Sequence, residues 1–134
     1  MNIEVRYVTR SGNTKTIAEA IAAEVGCTAQ TVDSVVSGHV DMLFVGGSLY
    51  AGNIDKKLRK FLEGLDATQV KRVAVFSTAA GDKTALPIVK DILKGVDVCD
   101  RAFHCKGKFL LSNRGRPDAD DCRTAAVFAS ELIK

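Results

Sequence analysis

Ile3-Glu4-Val5-Arg6-Tyr7-Val8-Thr9-Arg10-Ser11-Gly12-Asn13-Thr14 is the stretch on which the fold turns. Ile3–Val8 reads as a β-strand, and a polar turn with one glycine follows it. Beyond the turn, Ile17, Ile21 and Val25, flanked by Ala18 and Ala22, repeat at the spacing of one helical stripe, and Gly26 stops the helix. A strand feeding directly through a glycine turn into a helix is the opening of an alternating α/β chain.

The rest of the chain keeps that alternation. Thr28–Val32 is a short strand. Met42–Val45 is a continuous apolar run, as a strand buried on both faces requires, and Gly46-Gly47 is expected to end it. Leu58, Phe61, Leu62 and Leu65 make the stripe of a second helix. Val73–Phe76 is another strand, closing at Ser77-Thr78. Thr84 is positioned to cap a third helix with Pro87 in its first turn, and Ile88, Val89, Ile92 and Leu93 form its buried side. Phe103–Leu111 is extended, with an interruption expected at Gly107. Pro117-Asp118 opens the last helix, and Asp118, Asp120 and Asp121 suit its positive dipole end.

These elements predict an α/β fold, a three-layer doubly wound parallel sheet of five strands in the order 2-1-3-4-5. Two features sit awkwardly in it. Asp33–Asp41 is short for a crossover that ordinarily takes about 10–12 residues. Glu4 and Arg6 fall on a strand assigned to the middle of the sheet.

Composition narrows the class of function. The 134 residues suit a single domain, expected to span 1–134, and 46% apolar with 26% charged residues is globular, not disordered. No apolar run reaches the roughly 18–20 residues of a membrane span, and Met1–Tyr7 lacks a signal-peptide profile, so a cytoplasmic location is expected. The four cysteines, Cys27, Cys99, Cys105 and Cys122, fit no zinc spacing and read as reduced, packed thiols; Cys105 beside Lys106 is the alternative candidate for a reactive thiolate. His39 and His104 read as surface or packing residues. The net charge of +3 comes with basic clusters at Lys56, Lys57, Arg59, Lys60 and at Arg101, Lys106, Lys108, Arg114, Arg116, too dispersed to suggest nucleic acid.

In a doubly wound sheet, ligands bind beyond the carboxyl ends of the strands. That singles out three loops: Thr9, Arg10, Ser11, Gly12, Asn13, Thr14 after the first strand; Ser48, Leu49, Tyr50, Ala51, Gly52, Asn53 after the third; and Ser77, Thr78, Ala79, Ala80, Gly81, Asp82 after the fourth. The first has hydroxyls, an amide and a glycine running into a helix N-terminus, which is either a terminal-phosphate site or an ordinary polar cap. It has neither the lysine of a P-loop nor the repeated glycines of a dinucleotide fingerprint.

Thr9-Arg10-Ser11-Gly12-Asn13-Thr14 resembles the flavodoxin phosphate loop, T-x-[ST]-G-N-T. Gly46-Gly47-Ser48-Leu49-Tyr50-Ala51-Gly52 and Ser77-Thr78-Ala79-Ala80-Gly81-Asp82 follow at matching distances. Phe103–Phe109 with Asn113-Arg114-Gly115-Arg116-Pro117 is similar to the tail of short bacterial flavodoxin-like proteins. The resemblance implies FMN, with its phosphate on Ser11, Gly12, Asn13 and Thr14 and its ring between the second and third loops. Tyr50 is the only aromatic in those two loops, so one ring face is left open or covered by an apolar residue such as Leu49. The resemblance also implies that the peptide at Gly52 turns its carbonyl to meet the proton that reduction adds to the ring.

An electron carrier between redox proteins is the function so implied, with no catalytic residue of its own. The basic cluster suggests partners with acidic docking surfaces, and a monomer is expected. A small FMN-dependent quinone reductase or a protoporphyrinogen dehydrogenase-like enzyme is the alternative, suggested by Gly47–Gly52 followed by Lys56-Lys57. A flavin-free partner-binding domain is the third possibility.

Overall fold

A computed structural model describes residues 1–36, 38–109 and 112–134. In chain order the elements are β1 (Ile3–Tyr7), α1 (Asn13–Val25), β2 (Ala29–Thr31), β3 (Met42–Tyr50), β4 (Asn53–Ile54), α2 (Lys56–Glu63), β5 (Arg72–Ala79), α3 (Leu86–Ile92), β6 (Asp97–Val98), β7 (Phe103–Lys106) and α4 (Ala119–Leu132).

The parallel order is β2-β1-β3-β5-β6, with β7 also pairing β5 and β4 forming a small antiparallel pair with the end of β3. β6 pairs Arg72 and Val73, and β7 pairs Phe76 through Ala79, so they are two pieces of one interrupted strand along the same edge of β5. Counted so, the order is the 2-1-3-4-5 that the sequence predicts. The expected run to Leu111 stops as a parallel strand at Lys106; Leu110 and Leu111 lie outside the described residues.

Each sheet face buries its own core. One holds Val5, Tyr7, Ile17, Ile21, Phe44, Phe76, Phe103 and Phe128, under α1 and α4. The other holds Leu43, Val45, Leu58, Leu62, Val73, Val75 and Val89, under α2 and α3. β3 contributes to both, which is why its sequence is apolar without alternation.

Several boundaries differ from the sequence reading. β3 does not end at Gly46-Gly47 but continues to Tyr50. A Cβ on Gly46 would lie 2.2 Å from Phe76 Cε2, and one on Gly47 would lie 2.7 Å from Leu58 Cδ2. These glycines make room for core side chains; they do not break the strand. β5 likewise runs past Ser77-Thr78 to Ala79. β2 is one residue shorter at each end than Thr28–Val32. Thr84 is not the cap of α3: Ala85 holds that position, and its N–H is bound instead by Ser77 Oγ at 3.2 Å. Asp118 caps α4 in a reciprocal box with Asp121.

The two awkward features explain each other. The 32–41 connection carries no helix among its described residues. Arg6, only 3% exposed, reaches from β1 into the space beside it and donates to Ser34 O and Val35 O, both at 3.0 Å, and to Val5 O at 3.1 Å. Glu4 Oε1 neutralises it at 2.5 Å. A charged pair on a central strand thus satisfies backbone carbonyls that a crossover helix would have satisfied internally.

Candidate functional site

The carboxyl edge of the sheet gathers four loops where the sequence suggested three. At the end of β1, Gly12 adopts φ 92° and starts α1 with no side-chain cap, while Thr9 Oγ1 accepts the Gly12 N–H at 2.9 Å. The first-turn N–H groups of α1 are left without a capping side chain, which is the donor set an anion needs. Only glycine reaches that backbone conformation cheaply.

Ser11 and Asn13 line a cavity of about 630 Å³ together with Arg10, Tyr50, Lys108 and Phe109. Lys108 and Phe109 belong to the fourth loop, after β7. The link is direct: Asn13 Nδ2 donates to Lys108 O at 2.9 Å, and a Cβ on Gly107 would lie 2.6 Å from Asn13 Nδ2. Phe109, 52% exposed, is therefore a second aromatic beside Tyr50 that the three-loop reading missed. Its signal in the sequence is the Gly107-Lys108-Phe109 run, within the segment similar to the flavodoxin-like tail.

Beneath this cavity three hydroxyls, from the start of α1 and the ends of β3 and β5, close a ring. Thr14 Oγ1 lies 2.9 Å from Ser48 Oγ and 3.0 Å from Thr78 Oγ1, and Ser48 Oγ lies 2.7 Å from Thr78 Oγ1. All three residues are buried. Each hydroxyl can give one proton to its neighbour and accept one in return, so the ring satisfies itself. Thr14 thus faces the interior, tying α1 to β3 and β5, whereas Ser48 and Thr78 also edge the cavity floor.

Ala51 and Gly52 form the two-residue turn between β3 and β4, with φ 51° and 78° and Tyr50 paired to Asn53. Positive φ at both central residues marks a type I′ hairpin. Across from it, a cavity of about 400 Å³ is lined by Leu49, Ala51 and Gly52 on one side and Ala79, Ala80, Gly81, Asp82 and Lys83 on the other. This cleft lies between the second and third loops. Two predicted residues turn away from it. Asn53 Oδ1 accepts from its neighbour's Ile54 N and from Arg59. Ser77, fully buried, holds His104 Nδ1 at 2.9 Å as well as Ala85 N.

Arg10 pairs with Asp55, which also caps α2 through Lys57 N at 2.8 Å. That N–H chiefly holds the Asp55 carboxyl below the usual range, against the opposing effect of burial, and Arg10 adds to it. Cys105 is no reactive thiolate: burial pushes its thiol up to about 12. No helix among the described residues is long and apolar enough to cross a membrane.

Comparison with solved structures finds the same architecture. A flavodoxin from the domain Archaea superposes with a TM-score of 0.76 at 18% identity, covering 98% of this chain and 96% of that one. Oxidised Flavodoxin 2 from Bacillus cereus gives 0.74 at 19% identity, covering 99% and 98%. The rubredoxin oxygen:oxidoreductase from Desulfovibrio gigas gives 0.71 at 15% identity, with this chain matching 34% of its length. No curated protein matches the sequence. Residues 5–113, however, match the flavodoxin domain family, a span that runs from β1 through all four loops of the site. The chain belongs to the flavodoxin family.

Proposed function

We propose that this protein binds FMN and carries electrons between redox proteins. The observation that carries the reading is the uncapped start of α1 at Gly12, opening on the cavity that Ser11, Asn13, Tyr50 and Phe109 line. The residues fit the group. The Thr9–Thr14 loop contains hydroxyls, an amide and free N–H donors but no carboxylate, and Asp55, which reaches the loop at Arg10, is paired with that cation. A dianionic phosphate is stabilised by such donors without a fixed lysine.

Ser11, Gly12 and Asn13 hold the phosphate, with Arg10 and Lys108 as cations at the rim. The Thr14–Ser48–Thr78 ring keeps the loop, β3 and β5 in register below it. The flat ring occupies the cleft between the Ala51-Gly52 turn and the 79–82 loop. Bound FMN supplies the one- and two-electron chemistry, and the chain tunes it through hydrogen bonds, charge and access. Lys56, Lys57 and Lys60 on α2 provide a docking field for acidic partners.

An anaerobic reductive titration with added FMN, run beside riboflavin, tests the reading. The native protein should bind FMN more tightly than riboflavin. Ser11→Ala and Gly12→Val should each weaken FMN about tenfold or more, with little effect on riboflavin. Failure of either flavin to bind the native protein ends the proposal. Equal loss of both in the variants moves the phosphate elsewhere.

A further inference from the structure

The apolar stripe of α2 divides in the fold. Leu58 and Leu62 enter the core, whereas Phe61 and Leu65 are only half-buried. The latter two edge a groove that faces the 32–36 segment. It consists of two adjoining cavities of about 300 and 410 Å³ that share Val32, Lys60 and Phe61. The groove has no lining residue in common with the cavities at the carboxyl edge of the sheet.

The opposite wall is fixed at three successive carbonyls. Arg6 donates to Ser34 O and Val35 O, both at 3.0 Å, and Gln69 Nε2 donates to Val36 O at 2.7 Å. With the backbone tied down there, the Val35 residue stays 79% exposed at the groove, and Val36 lines it as well. Val35 is thus an apolar residue that the fold itself does not bury. It does not stand alone, because it lines the same cavity as Phe61 and Leu65.

The absent crossover helix sets the shape of the place. α2 and α3 cover this face of the sheet, and the 32–41 connection adds no third helix among its described residues. The carbonyls of residues 34–36 are already taken. A ligand lying there must satisfy its own backbone, as a helix does and an added strand does not. Charge sets the sign. Lys57 and Lys60 stand at i, i+3 on the face of α2 that carries Phe61, and both line the groove. Among the described residues neither lysine forms an ion pair, and Asp33 is the one acid that lines the groove.

We propose that this groove receives an amphipathic helix of a partner protein, with apolar side chains set between Val35 and Phe61 and carboxylates along the edge that meets Lys57 and Lys60. The apolar residues supply the contact area. The two lysines select an acidic edge, because like charge brought beside them is penalised. The apolar residues line a concavity, which suits a helix and not a flat lipid surface. The inference stands whether or not the protein binds FMN.

The test uses the full chain and a synthetic peptide of about 18 residues, enough for ~27 Å of helix. The peptide repeats leucine at i, i+3, i+4 and i+7, carries glutamate at the flanking positions and is helical by circular dichroism. A second peptide has lysine in place of every glutamate. The glutamate peptide should bind, lose affinity as salt rises, and shift the amide signals of residues 32–36 and 57–69 but not those of 79–82. Val35→Asp and Lys60→Gln should each weaken it about tenfold with the fold intact, and the lysine peptide should bind about tenfold more weakly or worse. Absence of binding by the glutamate peptide, equal binding of the two peptides, or native affinity in Val35→Asp overturns the proposal. Self-association that shifts the same amides without peptide also overturns it, by making a second copy the occupant. Retention on phosphatidylserine vesicles that Val35→Asp abolishes overturns it in favour of a lipid surface.

Discussion

Arg10 sits over Tyr50, its guanidinium carbon 4.0 Å from the ring centre, while its Nε and Nη2 atoms reach Asp55 Oδ2 at 3.0 and 2.9 Å. A residue of the first loop thereby fixes the only aromatic of the second and the cap of α2. One face of Tyr50 is taken by the cation, which leaves the other for a flat ligand.

Tyr50→Ala should weaken FMN about three- to tenfold, given an aromatic contact of about 0.5–1.5 kcal/mol beyond burial, and should restore flavin fluorescence. Tyr50→Phe should keep both near native. Fluorescence titration of the three proteins checks this, and unchanged binding in Tyr50→Ala would remove the ring from the site.

The hairpin turn stores strain at Ala51, where a side chain sits at φ 51°. Ala51→Gly should stabilise the protein by up to ~1 kcal/mol, the left-handed penalty less glycine's own entropy cost. Gly52→Val, at φ 78°, should destabilise it by about 2 kcal/mol. Urea denaturation of both variants measures the opposite signs.

Lys56 and Lys57 stand in the first turn of α2, which has no acidic residue, so they oppose the helix dipole. Replacing both with Glu should raise stability by about 0.3–1 kcal/mol per charge at low salt. The same change should make the second flavin potential more negative and slow association with acidic partners. Thermal melts and potentiometry on one double variant would show whether stability and function move in opposite directions.

Arg6→Met should cost about 3–5 kcal/mol, because it leaves Glu4 unpaired and strips donors from Ser34 O and Val35 O. Denaturant unfolding reads the loss. A cost below about 1 kcal/mol would mean that water reaches these carbonyls easily.

Cys105 titrates near 12 when folded because of burial, against an ordinary value of 9.0. A group whose folded value is raised gives its full contribution below the unfolded value. Stability should therefore hold up to about pH 9 and fall from there toward about 12. At pH 8 the native thiol should resist iodoacetamide and react promptly in urea, which mass spectrometry of the Cys105 peptide resolves.

The layout of the fold was legible in the sequence because apolar periodicity is a local property. Met42–Val45 announces a doubly buried strand, Ile17–Ile21–Val25 a helix stripe, and Thr9–Thr14 a loop suited to an anion, each from neighbours along the chain. Alternation and handed crossovers then leave few sheet orders. Other features depended on residues far apart in sequence. Gly46 and Gly47 read as a strand end because nothing nearby reveals that Phe76 and Leu58 need their space. Arg6 read as misplaced until the helix-free crossover met it, 28 residues away. His104 read as a packing residue, yet it holds Gly81, and Phe109 joins Tyr50 at a cavity that sequence spacing does not encode. The sequence by itself determined the order of the main strands and helices along the chain. The tertiary structure decided which side chains face one another across the loops between them, because hydrogen bonds and close packing act over a few ångströms between residues that the chain brings together only when folded.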